Sequence, residues 1–169
     1  MSYKQPTTRF PVNYTDLDRT DRRILDALQA DARPSNAALA AEVSLSESAC
    51  LRRVRRLEAE GLITNIVALV DQPRAGYPDN VFVTITLDSQ QQEDLRRFEA
   101  AVQALPEVME CYLMSGDADY LIRVVVADAR DYERIHSQHL TRLPGVARVQ
   151  SNFALRAVVK KTALPIRPP

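Results

Sequence analysis

The chain has 169 residues, enough for one or two small domains, and 46% of them are apolar, which argues against a disordered protein. Lys plus Arg and Asp plus Glu both number 22, so the net charge is zero and no general basic coat attracts nucleic acid. No apolar run is long enough for a membrane span, and the first residues lack a signal-peptide core, which predicts a cytoplasmic protein without a membrane partner.

The first half of the chain has the spacing of three short helices. A residue that favours a helix cap precedes each of them: Asp16 or Asp18, then Ser35, then Ser46. Pro34 separates the first two helices, and Gly61 is expected to end the third in a left-handed conformation. Two short helices in close succession, the second rich in arginine, indicate a helix-turn-helix. The weakly alternating run 62–69 is expected to add a short strand or wing, although a plain three-helix unit would share this periodicity.

The third predicted helix concentrates positive charge. Residues 46–57 include four arginines and one glutamate, while Cys50, Val54 and Leu57 form an apolar stripe at 100° per residue. The guanidinium group offers a planar set of donors that fits phosphate oxygens and the guanine edge. A solvated surface helix is the alternative. We predict that this helix binds double-stranded DNA through the polar side chains on and around its other faces: Ser46, Ser48, Arg52, Arg53, Arg55 and Arg56.

A linker and an internal repeat organise the rest of the chain. Residues 71–80 contain two prolines and a glycine, which predicts a linker between a domain at 16–70 and another at 81–160. In the second domain, Leu105-Pro106 recurs 38 positions later as Leu143-Pro144. Each repeat reads as a strand, a helix, a turn and a strand. We therefore predict an α+β chain: a winged helix-turn-helix followed by a ferredoxin-like βαββαβ domain.

The predicted sheet has apolar residues on both faces. Val81, Val83 and Ile85 alternate with Phe82, although right-handed crossovers place both helices on one face. At about 25 cal/mol per Å² of apolar surface, leaving the second face open to water would cost several kcal/mol. We therefore expect a homodimer that covers this face, an arrangement that also suits the reading of two DNA half-sites.

Other chemistries find little support in the sequence. His136 and His139 have a spacing that could hold zinc, but no third ligand accompanies them. Cys50 and Cys111 form no metal-ligand pattern and are expected to be buried free thiols. Ser46 and Ser48 have no nearby base, and no glycine-rich phosphate loop is present. We expect neither a cofactor nor catalysis, with an enzyme or a stand-alone amino-acid-binding module as the competing hypotheses.

Several segments together resemble the Lrp/AsnC family of transcriptional regulators. The resemblance covers residues 16 to about 165 and depends on four segments: 17–25, 50–61, 115–120 and 143–146. It implies an amino-acid-sensing second domain, dimers that assemble further into tetramers or octamers, and association with the nucleoid. Many members have Ser-x-Thr-Pro directly before the position of Cys50, where this chain has Ser46-Glu-Ser-Ala49, a departure that affects the expected operator preference.

The resemblance also implies an effector site at the turn around Gly116. We expect Gly116 to adopt a positive φ, and the carboxylates of Asp117 and Asp119 to accept hydrogen bonds from an α-ammonium group. A plain hairpin turn, in which Gly and Asp are common, is the alternative. The positions that match the family's effector lining are Leu113, Gly116, Asp117, Asp119, Tyr120, Asn152, Phe153 and Ala154.

Overall fold

The computed structural model describes residues 17–166, which divide into two compact units. The first unit contains residues 17–69 and 159–166, and the second contains residues 70–158. The helices are α1 (Arg19–Ala30), α2 (Asn36–Glu42), α3 (Glu47–Ala59), α4 (Gln92–Gln103) and α5 (Ala129–Gln138). The strands are β1 (Asp79–Leu87), β2 (Val108–Leu113), β3 (Tyr120–Val126) and β4 (Val146–Phe153). Within residues 17–166 no helix combines the length and the apolarity that a membrane span requires.

The first unit contains the three predicted helices, and each begins at a predicted cap. Asp18 Oδ1 accepts a hydrogen bond from the Asp21 amide at 2.8 Å, while Ser35 and Ser46 cap α2 and α3 in the same way. Asp16, the alternative cap of α1, lies outside the described residues. Gly61 has φ +73°, as expected for the residue after a helix. The apolar stripes meet in one core, whose most buried side chains are Ile24, Cys50 and Leu57.

The predicted wing does not form a strand. Leu62 and Ile63 pack on the core of the first unit, but from Ile66 to Val70 the large apolar side chains are exposed and the backbone joins no sheet. A strand needs a neighbour for its N–H and C=O groups, and the described part of this chain pairs no second segment with this one. The run therefore stays outside regular secondary structure, with its apolar side chains uncovered.

The C-terminal segment belongs to the first unit rather than to the second. Ile166 packs on the core formed by the three helices, and Leu164 forms two hydrogen bonds with Gln29 of α1. The second compact unit ends at residue 158, and residues 159–166 are grouped with the first. The chain therefore passes from the first unit to the second and then back again.

The second unit has the βαββαβ order expected from the internal repeat. Its four strands are antiparallel in the order β2-β3-β1-β4, so the first strands of the two repeats are neighbours at the centre. Val83 of β1 lies opposite Ile122 of β3, and both side chains are fully buried in the core with Phe98 of α4 and Ile135 of α5. Both helices therefore share one apolar core with one face of the sheet.

The other face of this sheet combines apolar and polar side chains. Phe82 and Tyr112 are 38% and 53% exposed. Arg123 donates from Nε to Glu110 at 2.7 Å and from Nη1 to Asn80 at 2.9 Å. The face is thus less uniformly apolar than the alternation of residues suggested, because an ion pair crosses the β2–β3 pair.

Candidate nucleic-acid interface and effector site

Helix α3 has two arginines that are open to solvent. Arg52 and Arg55 are exposed, and within residues 17–166 neither side chain forms a hydrogen bond or ion pair. They stand on a helix whose opposite stripe, Cys50 and Leu57, is completely buried. An anchored helix with free guanidinium groups on its outer side can approach a DNA groove without breaking contacts within the protein.

The other two arginines of α3 bind carboxylates of α1. Arg53 Nη1 lies 2.6 Å from Asp18 Oδ2 and 2.8 Å from Asp21 Oδ1. Arg56 Nη2 pairs with Asp21 Oδ2, and its Nε lies 3.8 Å from Glu60 Oε1. Asp21 is only 1% exposed, and each of its carboxylate oxygens forms an ion pair with one arginine of α3. These ion pairs join the first helix to the third.

The ionisation of these groups follows from the same contacts. The hydrogen bond to Asp21, followed by the one to Asp18, raises the pKa of Arg53 above its usual value. Burial alone would raise the pKa of Asp18, but hydrogen bonds from the Asp21 amide and from Arg53 outweigh burial and hold that pKa below its usual value. The ion pair between Arg53 and Asp18 therefore stays charged at neutral pH.

The serines at the start of α3 have different surroundings. Ser46 Oγ caps the helix by accepting from the Ala49 amide at 3.3 Å, whereas Ser48 is exposed and lies 3.4 Å from Ser46 Oγ. Asn36 Nδ2 donates to the backbone oxygen of Glu47 at 3.1 Å, which connects the starts of α2 and α3. The first turn of α3 is therefore held by polar contacts, and the Ser48 hydroxyl remains accessible.

The turn between β2 and β3 is open at its tip. Leu113 is 60% exposed, Asp117 is exposed, and no described residue makes a hydrogen bond or ion pair with the Asp117 side chain. Gly116 does not have the positive φ that we expected, and a Cβ placed on it would meet no atom within 4 Å. The glycine is therefore not required by backbone strain in this turn, and the space in front of it is free.

Asp119 has a different environment from Asp117. It is 6% exposed, and its carboxylate accepts from the Leu87 amide at 2.7 Å and from Gln90 Nε2 at 2.6 Å. Its own amide donates to the Ile85 carbonyl at 2.9 Å. Both carboxylate oxygens thus hold the end of β1 and the residues after it. This arrangement is the one that a structural turn would need.

Tyr120 is also part of the core. It is 1% exposed, its ring centroid lies 4.4 Å from that of Phe98, and its hydroxyl donates to Glu99 Oε1 at 3.0 Å. Burial and this hydrogen bond raise the pKa of Tyr120. The residue supports the turn from beneath.

The remaining expected effector residues lie at the opposite end of the sheet. Tyr120 pairs with Ile85, and Ile85 pairs with Val149, whereas Phe153 pairs with Val81. Four residues of strand, about 13 Å at about 3.3 Å per residue, separate the two ends. A single chain therefore does not bring the turn at 113–119 together with the end of β4: Asn152, Phe153 and Ala154.

The environment of the end of β4 is partly apolar. Asn152 and Phe153 are exposed, and the Phe153 ring meets that of Tyr132 edge-on with centroids 5.2 Å apart. The amide of Ala154 donates to the Asn80 carbonyl at 2.9 Å. Because successive side chains of a strand alternate between faces, the Phe153 ring lies on the helix-covered face of the sheet, and the Asn152 amide lies on the open face.

No group of three His, Cys, Asp or Glu side chains within residues 17–166 is arranged to hold a metal ion. Cys50 is buried as expected, whereas Cys111 is only partly buried, and both are free thiols. Burial, assisted by Glu99, raises the pKa of Cys111 to about 11. The thiols are therefore protonated at neutral pH.

Both halves of the chain match families of known proteins. A family model for a winged helix-turn-helix DNA-binding domain matches residues 17–64, and one for the Lrp/AsnC ligand binding domain matches residues 80–164. The Bkd operon transcriptional regulator of Pseudomonas aeruginosa is 44% identical over 151 residues, which cover 89% of this chain and 99% of the relative. The leucine-responsive regulatory protein of Salmonella typhimurium is 42% identical over 90% of this chain and 93% of its own length.

A solved structure extends the comparison to three dimensions. A transcriptional regulator from Neisseria meningitidis in complex with L-Met has a TM-score of 0.84 and 31% identity, over 89% of this chain and 97% of that one. The sequence match, the helix-turn-helix and the βαββαβ unit thus agree over almost the whole chain. The protein belongs to the Lrp/AsnC family of DNA-binding transcriptional regulators.

Proposed function

We propose that this protein regulates transcription in response to a free amino acid, by binding DNA through α3 and the amino acid at the turn between β2 and β3. The observation that carries the DNA half is the solvent exposure of Arg52 and Arg55 on an anchored helix, with no ion pair to another described residue. Ser48 and the Ser46 end of the helix join them as DNA contacts. The protein acts on DNA rather than as an enzyme, in the cytoplasm and in association with the nucleoid.

The effector half of the proposal depends on the exposed tip of the turn. The Asp117 carboxylate accepts hydrogen bonds from the α-ammonium group, and the open space before Gly116 lets the amino acid approach the backbone. Leu113 offers an apolar contact, which favours an apolar and branched side chain. Asp119 and Tyr120 act by holding the turn, because their polar atoms are already bound within the chain.

We further propose that two copies of the chain complete the effector site. The sheet register separates the turn from Asn152, Phe153 and Ala154, so a site lined by both requires the second set from another subunit. A homodimer, assembling further to a tetramer or octamer, would also cover Phe82 and the exposed run 66–70. The L-Met in the Neisseria complex and the leucine response named for the Salmonella relative support an amino acid as the effector.

The DNA half can be tested by replacing the two free arginines. In moderate salt, an Arg52→Gln, Arg55→Gln variant should bind a duplex carrying the protein's own upstream region at least tenfold more weakly than wild type. Its matched control is Arg96→Gln, Arg130→Gln, which removes the same charge from exposed positions of α4 and α5. Anisotropy titrations that gave the first pair wild-type affinity would exclude α3 as the DNA-binding helix.

A further inference from the structure

The buried carboxylate of Asp21 forms ion pairs with two of the four arginines of α3, Arg53 and Arg56. Asp21 Oδ1 accepts from Arg53 at 2.8 Å and Oδ2 accepts from Arg56. The side chains of Arg53 and Arg56 remain 28% and 45% exposed, so they lie at the surface of the first unit. Both positive charges are thus at the surface but already paired with carboxylates.

Moving either arginine to a DNA phosphate would carry a cost. Asp21 is 1% exposed, and removing one partner would leave a buried carboxylate with half of its compensation. Arg53 is further held by Asp18, and Arg56 by Glu60. Arg52 and Arg55 have no such ties among the described residues, so a phosphate takes them without loss.

We propose that Asp21 is a specificity-determining residue: it withholds Arg53 and Arg56 from the phosphates and thereby limits DNA binding that is independent of sequence. The proposal rests on α3 being the DNA-binding helix. Each arginine that reaches a phosphate releases counterions and strengthens binding to every sequence equally. Keeping two of the four arginines away from phosphates therefore lowers the affinity for DNA of random sequence. The base contacts that distinguish one sequence from another are retained.

The test measures the salt dependence of binding to a random-sequence duplex and to the protein's own upstream DNA. Asp21→Asn keeps the side-chain shape but cannot balance two guanidinium charges, and Asp26→Asn is the matched control because Asp26 is exposed on the same helix. We expect Asp21→Asn to steepen the slope of log K against log salt by about 0.9 for each released arginine. The ratio of specific to random binding should fall at least threefold, with Asp26→Asn unchanged. A helix displaced for structural reasons would instead weaken both DNAs without steepening the slope, and that result would overturn the proposal.

A second pair of variants keeps the proposal testable if Asp21→Asn does not fold. In the otherwise wild-type chain, Arg53→Gln or Arg56→Gln should change the slope by less than half a unit, because neither arginine contacts phosphate. Arg52→Gln or Arg55→Gln should each make the slope of log K against log salt shallower by about 0.9. Equal slope changes at all four positions would overturn the role of Asp21. If Arg52 and Arg55 have no effect, the assignment of α3 itself fails, which is a separate result.

Discussion

Gln29 and Leu164 form a reciprocal pair of hydrogen bonds across 135 positions of the chain. Gln29 Nε2 donates to the Leu164 carbonyl at 3.1 Å, and the Leu164 amide donates to Gln29 Oε1 at 2.6 Å. The side-chain amide of α1 thus binds the C-terminal segment as a neighbouring strand would. With Ile166 in the same core, the segment after the second unit stabilises the DNA-binding unit.

Removing this segment should therefore loosen the first unit selectively. We expect Gln29→Ala to lower the local stability of α1 by about 1 kcal/mol, and truncation after Val158 to lower it further because Ile166 is also lost. Hydrogen exchange should show faster exchange in α1 and unchanged protection in β1 and β3. Gln138→Ala, at an exposed position of α5, is the control. Unchanged exchange in α1 after truncation would rule out this stabilising role.

The two aspartates of the effector turn should separate ligand binding from stability. Asp117→Asn should weaken amino-acid binding at least tenfold with an unchanged melting temperature, because the Asp117 side chain is exposed. Asp119→Ala should lower stability by about 1 to 3 kcal/mol, because the Leu87 amide loses its buried acceptor. Calorimetry and thermal unfolding check both. If Asp117→Asn bound the amino acid like wild type, Asp117 would not be part of the site.

Gly116 offers a test of the space in front of the turn. Because its φ is not in the left-handed region and a Cβ would meet no atom within 4 Å, Gly116→Val should fold with near wild-type stability. The same side chain would occupy the space proposed for the amino acid, so we expect at least a tenfold loss of ligand affinity. A variant that binds the amino acid normally would show that the ligand lies elsewhere.

Assembly can be tested at the exposed face of the sheet. Phe82→Asp introduces a charge at the centre of the face that we propose to lie between subunits, and it should weaken dimerisation at least tenfold. Ala100→Asp, at an exposed position of α4, is the control. Sedimentation equilibrium distinguishes the outcomes, and a Phe82→Asp chain that dimerises like wild type would assign the dimer to another surface.

The parts of the fold that the sequence could predict are those set by local patterns. Ser35, Ser46 and Gly61 act within one turn of their own helix, and the Leu-Pro repeat reflects a repeated strand and helix, so short-range reasoning found them. The run 62–69 was expected to form a short strand or wing and contains no strand, because its alternation says nothing about whether a neighbouring strand exists.

The roles of the candidate site residues were harder to predict, because they depend on contacts with residues far away in the sequence. Helical spacing separates Arg53 and Arg56 from the apolar stripe, but not from Arg52 and Arg55, and the difference comes from Asp21 on another helix. A signal was present: Asp18 and Asp21 have the same spacing of three as Arg53 and Arg56. Asp119 likewise differs from Asp117 only through its contacts with Leu87 and Gln90.

An amino acid should change the affinity of this protein for DNA, which a titration measures directly. The affinity for the protein's own upstream DNA should be titrated with and without each apolar amino acid, in wild type and in Asp117→Asn. We expect at least one amino acid to change the wild-type affinity at least fivefold and to leave Asp117→Asn unaffected, because coupling requires differential binding. Tight DNA binding that no amino acid alters would contradict the account.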